Sequence, residues 1–144
     1  MSDNKRGNRN RNKGHRLERL VASLFRSFGF EFSRTSRAES KLLDNCGIDI
    51  TNVPFLIQCK AGYERNPPKY RDIYKYIKEN LNKNFPKEHD IHNTPIVLIH
   101  KGDGRKKENF TWTFDNETIT NILKEYYFFK NEYTNKNKDS RTDA

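Results

Sequence analysis

A carboxylate, an amide and an amine lie close together near the middle of this 144-residue chain. They belong to the segments GIDIT and FLIQCKA, whose alternation of apolar and polar residues is typical of strands. If a tight turn before Pro54 joins these strands, Asp49 faces Gln58 and the same polar face carries Lys60. Gln58 and Lys60 would then lie roughly 6.5 Å apart on one side of a strand. This grouping suits phosphodiester hydrolysis.

Phosphodiester hydrolysis requires a divalent cation held by hard oxygen ligands and a positive group near the attacking water. Asp49 is the expected charged ligand, the Gln58 amide oxygen and the Cys59 backbone carbonyl are neutral ones, and Lys60 orients the nucleophile and stabilises negative charge. Glu18 borders the apolar stripe of the first predicted helix and could reach the metal directly or through water. A solvated Glu18 paired with a neighbouring arginine is an equal alternative.

The elements that must position these groups follow from hydrophobic periodicity. Apolar residues from Leu17 to Phe28 recur at helical spacing, and Gly29 is the expected stop. The later elements are predicted to be a strand in FEFSR, a polar loop over 35–46, the two hairpin strands, a helix ending before Pro86, strands over 95–99 and 110–114, and a last helix capped by Asp115 or Asn116. The order is α-β-β-β-α-β-β-α, which predicts an α/β fold with a mixed central sheet between helices.

Composition restricts the class of protein. The net charge of +9 favours a polyanionic partner, and nucleic acid is the commonest in a cell. The chain has no apolar run of about 18 residues and no apolar segment behind its first charges, so we expect a cytoplasmic protein without a membrane span. Cys46 and Cys59 are expected to be reduced, buried or half-buried thiols.

The basic residues are concentrated near the start of the chain. Residues 1–16 carry a net charge of +5 with little apolar surface, which predicts a disordered arm over 1–14, followed by one domain over 15–130 and a polar flexible tail over 131–144. Contact with nucleic-acid phosphates is expected from the arm and from two loop arginines: Arg6, Arg9, Arg11, Lys13, Arg16, Arg34 and Arg37. A solubilising tail is the alternative for the arm. Glu39 and Asp44 are weaker candidates for extra metal ligands.

The string GIDITNVPFLIQCKAG, preceded by the helix ERLVASLFRSFGFE, resembles the PD-(D/E)XK nuclease superfamily. Its Gln-x-Lys variant is similar to Mrr-type restriction endonucleases, and small Holliday-junction resolvases of the same superfamily also look similar. The resemblance covers about residues 14–62 and implies a three-layer restriction-endonuclease-like fold with Glu18, Asp49, Gln58 and Lys60 as the active-site set. Resolvases usually carry an acid at the position of Gln58, so one Mg²⁺, replaceable by Mn²⁺, is more plausible here than two.

The leading hypothesis is therefore a Mg²⁺-dependent DNA endonuclease without a small-molecule cofactor. We expect it to act on branched DNA or Holliday junctions in recombination or repair, because the assigned nuclease elements leave no residues for a separate sequence-reading domain. A homodimer would supply the two cuts that a junction requires. The alternatives are an Mrr-like restriction-type nuclease and a non-catalytic basic module that binds nucleic acid.

Overall fold

The computed structural model describes residues 2–62, 65–102 and 110–142. It is a mixed α/β structure, which confirms the predicted class. In chain order the elements are α1 (Ser2–Ser27), β1 (Arg34–Thr35), α2 (Ser36–Glu39), α3 (Lys41–Asn45), β2 (Ile50–Thr51), β3 (Leu56–Ala61), α4 (Tyr70–Asn84), a 3-10 turn (Asp90–Asn93), β4 (Ile96–Lys101), β5 (Thr111–Thr113) and α5 (Asn116–Thr142).

The main sheet has the strand order β3-β4-β5. Strands β3 and β4 run parallel along their whole length, from the pair Leu56 and Ile96 to the pair Ala61 and Lys101. Strand β5 is antiparallel to β4, and β1 and β2 form a separate two-stranded antiparallel sheet. The parallel pairing of β3 with β4 is possible because α4 supplies the crossover between them.

Both faces of β3 are covered over most of its length, so Gln58 is not on a solvated surface, whereas Lys60 near the strand end is partly exposed. On one face, Ile77 and Leu81 of α4 pack in a buried cluster with Leu56 and Leu98. Helix α1 packs on the sheet through a buried stripe that includes Phe25, whose ring centroid lies 5.7 Å from that of Trp112 in β5. A strand covered on both faces needs apolar residues at successive positions, as β3 has at Leu56 and Ile57.

The hairpin predicted between GIDIT and FLIQCKA was wrong as a strand ladder, although the predicted placement of Asp49 next to Gln58 is retained through the hydrogen bond from the Asp49 N–H to the Ile57 carbonyl. Strand β2 pairs with β1 and strand β3 pairs with β4, and no ladder joins β2 to β3 in the described part of the chain. Asn52 has a φ of 60°, a left-handed conformation that turns the chain away after β2. The predicted polar face also differs, because Thr51 and Gln58 are buried.

The two ends of the chain are helical where disorder was predicted. Residues 2–14 form the first half of α1, and residues 131–142 continue α5. Once the packed half of a helix has formed, each added residue gains one hydrogen bond, and Arg and Lys are good helix formers. The predicted domain over 15–130 is also divided, because residues 1–113 and 114–144 form two compact units.

The strand predicted in FEFSR was wrong except at Arg34, and the loop predicted over 35–46 contains α2 and α3. Several other predictions for the elements were confirmed. Helix α1 stops before Gly29, which has a φ of 106°, and α4 ends before Pro86. Helix α5 begins after Asp115, whose Oδ1 accepts a 2.8 Å hydrogen bond from the backbone N–H of Thr118. Both cysteines are free and buried. None of the helices in the described residues is long and apolar enough to cross a membrane.

Candidate active site

Asp49 is fixed to the free edge of β3 by its main chain and its side chain. Its backbone N–H donates a 2.7 Å hydrogen bond to the carbonyl of Ile57, and its Oδ2 accepts one of 2.7 Å from the N–H of Cys59. Its own carbonyl accepts a 2.8 Å hydrogen bond from the N–H of Ser36 at the start of α2. Asp49 therefore lies beside Gln58 and is hydrogen-bonded to both chain neighbours of Gln58, which are Ile57 and Cys59.

The environment of Asp49 disfavours its negative charge. The pKa of this carboxyl is raised from 3.8 to about 7. Burial is the main cause, the charges of Glu18 and Asp44 act in the same direction, and the Cys59 N–H and Lys60 oppose them. The carboxylate is stabilised when a positive species, either a proton or a cation, lies beside it. A site that raises the pKa of an acid in this way is typical of functional carboxylates.

Gln58 has a polar atom without a partner. Its side chain is only 9% exposed, and among the described residues its Oε1 is buried and accepts no hydrogen bond. The Nε2 of the same amide lies near Gly47, where an added Cβ would come within 3.3 Å of Nε2 and 2.8 Å of the Tyr76 ring. Gly47 therefore gives the Gln58 amide its space. A buried amide oxygen with no donor is costly unless something binds it.

The backbone of Cys59 contributes to the same edge. In a strand, the N–H and C=O of one residue point to the same side. The Cys59 N–H is bonded to Asp49, so the Cys59 carbonyl also points toward the Asp49 edge and away from β4. Burial raises the pKa of the Cys59 thiol well above its ordinary value, and the charges of Asp49 and Glu18 raise it further. The thiol stays protonated, so it is not a nucleophile.

Glu18 is held by an arginine. Its Oε2 accepts a 2.8 Å charged hydrogen bond from Nη2 of Arg37, and Nη1 of that guanidinium lies 2.6 Å from Nε2 of His15. The Glu18 side chain is largely buried, and its charge raises the pKa values of Asp49 and Cys59, so it belongs to the same electrostatic neighbourhood. The structure thus gives Arg37 a role in holding Glu18.

Glu39, a weaker ligand candidate, has a structural role. Its carboxylate accepts hydrogen bonds from Oγ1 of Thr51 at 2.6 Å and from Nδ2 of Asn52 at 3.0 Å. The hydrogen bond from Thr51 is the main cause of a lowered pKa of Glu39, and the hydrogen bond from Asn52 and the charge of Arg34 act in the same direction. Glu39 ties the left-handed turn at Asn52 to α2, so it is committed away from Asp49.

The donor set fits a hard divalent cation. The described residues contain no group of three or more His, Cys, Asp or Glu side chains that could hold a metal. A site here must therefore use neutral oxygens beside the carboxylate, and the unpartnered Gln58 Oε1 and the Cys59 carbonyl are such oxygens. Carboxylate, amide and carbonyl oxygens are the ligands that Mg²⁺ and Mn²⁺ accept.

A basic groove borders Cys59 and Lys60, but its lining does not include Asp49, Gln58 or Glu18. A cavity of about 310 Å³ is lined by residues that include Lys13, Cys59 and Lys60, and an adjoining one of about 460 Å³ includes Lys13, Arg16 and Lys101. Both are lined by Ala61 and Gly62, so they form one groove between α1 and the ends of β3 and β4. Lys101 carries no motif signal and was missed from the sequence.

The predicted phosphate-contacting residues of α1 do not all share one face. Each residue turns a helix by about 100°, so Arg6, Arg9, Lys13 and Arg16 fall within about 80° of one another. Arg11 lies on the far side, about 160° from both Arg9 and Lys13. Arg11 is therefore separated from the groove.

No protein family, curated protein or solved structure matches this chain.

Proposed function

We propose that this chain is a metal-dependent endonuclease that hydrolyses phosphodiester bonds in DNA, with a restriction-endonuclease-like fold. The observation that carries the proposal is that Asp49, a buried carboxylate of raised pKa, is hydrogen-bonded to the residues on either side of Gln58, whose buried Oε1 has no partner among the described residues. Both features are unfavourable in the metal-free chain, and one divalent cation would relieve both.

Each residue has a distinct role in this proposal. Asp49, Gln58 Oε1 and the Cys59 carbonyl hold Mg²⁺ or Mn²⁺, and Glu18 reaches the same ion directly or through water. When bound, the ion offsets phosphate charge and lowers the pKa of a water molecule. Lys60, which lines the groove, orients the attacking water and stabilises negative charge on the phosphate.

The groove supports a nucleic-acid substrate. It is lined by Lys13, Arg16, Lys60 and Lys101, and contacts of such side chains with phosphates carry no sequence information. Such contacts select a backbone path, so they fit recognition of DNA shape. Within the endonuclease class we therefore propose branched DNA, such as a four-way junction, as the preferred substrate.

A cleavage assay tests the proposal. Purified protein is incubated with a four-way junction, a linear duplex and a supercoiled plasmid, each with Mg²⁺, with Mn²⁺ and with EDTA. We expect cleavage with metal only, most efficient on the junction, and its loss in Asp49→Asn and Lys60→Ala. Glu79→Gln and Lys75→Ala, which change exposed residues of α4, are the matched controls and should cut as the wild type does.

Each other outcome has a defined meaning. If folded wild-type protein binds DNA but cuts no substrate with either metal, the endonuclease proposal is rejected in favour of a non-catalytic binding module. If Asp49→Asn and Lys60→Ala cut as efficiently as the wild type, the catalytic residues lie elsewhere in the chain. If linear duplex and junction are cut equally well, the proposed preference for branched DNA is rejected, but the proposed endonuclease activity is not.

A further inference from the structure

Helix α5 exposes apolar residues on more than one side, including Leu123, Tyr127 and Phe128, and another set of them forms a continuous seam. Four of its residues, Ile122, Tyr126, Phe129 and Tyr133, have 37%, 63%, 65% and 70% of their surface exposed. With Ile119 they are spaced alternately by three and four residues. This is the a/d repeat of a coiled coil, in which each helix places such a seam against a partner helix.

We propose that α5 forms a parallel two-stranded coiled coil with α5 of a second copy of this chain. The helix is 27 residues long and all of its residues from 121 to 138 are exposed. Such a helix draws most of its stability from a packed apolar face, which a partner helix would supply. The proposal does not depend on the nuclease function.

The seam is large enough for a stable dimer. A buried aromatic side chain removes about 150–250 Å² from water. Scaled by their exposed fractions, the three seam aromatics Tyr126, Phe129 and Tyr133 in each of two copies contribute roughly 600–1,000 Å², before the isoleucines are counted. Stable interfaces bury about 1,200–2,000 Å² in total, so the seam with its flanking residues reaches the range of specific dimers.

The charges beside the seam select the parallel arrangement. Glu125 and Glu132 occupy the g positions, and Lys130 occupies the e position that follows Glu125. In a parallel pair, Glu125 of each copy faces Lys130 of the other, which gives two opposite-charge contacts. An antiparallel pair would instead set Glu125 against Glu132, two like charges. Glu125 and Lys130 are five residues apart and do not face each other within one helix.

A charge-swap experiment tests both partner and direction. Sedimentation equilibrium on the full chain at micromolar concentrations should show a dimer for the wild type. Glu125→Lys and Lys130→Glu should each weaken dimerisation roughly tenfold, because each sets like charges against each other across the pair. Mixing the two variants should restore dimerisation, because both cross-helix contacts of the mixed pair then join opposite charges. An antiparallel pair would instead be strengthened by Glu125→Lys, which overturns the proposed direction.

Seam and off-seam variants provide the matched control. Phe129→Ala should raise the dissociation constant roughly tenfold or more, whereas Phe128→Ala, one residue away and off the seam, should leave it nearly unchanged. Tyr126→Cys should form an interchain disulfide on mild oxidation, since equivalent a positions meet in a parallel pair. A monomeric wild type, or equal effects of the Phe128 and Phe129 variants, would overturn the proposal.

Discussion

The backbone N–H of Cys59 donates a 2.7 Å hydrogen bond to Oδ2 of Asp49, where a strand partner would ordinarily offer a carbonyl. The Asp49 carboxylate thus occupies a position on the edge of β3 and is held there rigidly. It has been removed from water without gaining a fully compensating charge, since its pKa is raised to about 7. This balance sets the first prediction.

Asp49→Asn should stabilise the metal-free protein at alkaline pH. The folded-state pKa of Asp49, about 7, exceeds its ordinary value of 3.8, so between these pH values the folded protein binds more protons than the unfolded chain. The contribution of Asp49 to stability is therefore fully present below pH 3.8 and is lost as pH rises toward 7. Asparagine does not ionise and can still accept the Cys59 hydrogen bond.

The measurement is urea denaturation in EDTA across this pH range. The variant should exceed the wild type in free energy of unfolding at pH 8 by up to about 4 kcal/mol, at about 1.4 kcal/mol per pKa unit, with the difference shrinking toward pH 4. Glu31→Gln, which changes an exposed carboxylate, should show no such trend. Parallel pH profiles for wild type and Asp49→Asn would show that Asp49 ionises freely.

Substitutions of Gln58 should separate folding from metal binding. Gln58→Leu removes the unpartnered amide oxygen, so the metal-free stability should stay the same or rise by about 1 kcal/mol. The increase in melting temperature on adding Mg²⁺ or Mn²⁺ should disappear, because one ligand is lost. Gln58→Glu should do the reverse, with lower metal-free stability and a larger metal-induced increase. An undiminished metal response in Gln58→Leu would remove Gln58 from the ligand set.

Arg37 should act on cleavage through Glu18. Because Arg37 Nη2 holds Glu18 Oε2 at 2.8 Å, Arg37→Ala should reduce the cleavage rate roughly tenfold while DNA affinity changes little. In a Glu18→Gln background the same substitution should have little further effect, since the residue it positions has already been changed. Arg71→Ala, at an exposed arginine of α4, is the control. Additive effects of the Glu18 and Arg37 substitutions would show that Arg37 contacts DNA independently.

The groove should account for the salt dependence of binding. Arg16→Ala and Lys101→Ala each remove a cation from the groove lining, so each should weaken binding and reduce the slope of log affinity against log salt by about 1. Arg11→Ala removes the same charge from the far side of α1 and should leave the slope nearly unchanged. Fluorescence anisotropy with labelled duplex and junction over a series of salt concentrations measures these slopes. Equal slopes for the Arg11 and Arg16 variants would mean that DNA does not follow the groove.

Local patterns in the sequence determined the elements and the chemistry of the candidate site. The helical spacing of apolar residues marks α1 and α4, and Gly29 marks a helix end because its φ of 106° is unfavourable for other residues. Residue types, together with strand-like alternation and the resemblance of a short motif, made Asp49, Gln58 and Lys60 a candidate hydrolytic set. The net charge likewise pointed to a polyanion.

Only the tertiary structure decided how the strands pair and which polar groups are buried. Strand β3 pairs with β4, about 40 residues further along the chain, and not with its sequence neighbour β2. Strand pairing depends on which apolar surfaces meet when distant segments pack, and periodicity within one segment carries no record of this. The burial of Gln58, the hold of Arg37 on Glu18 and the contribution of Lys101 to the groove all result from such long-range packing.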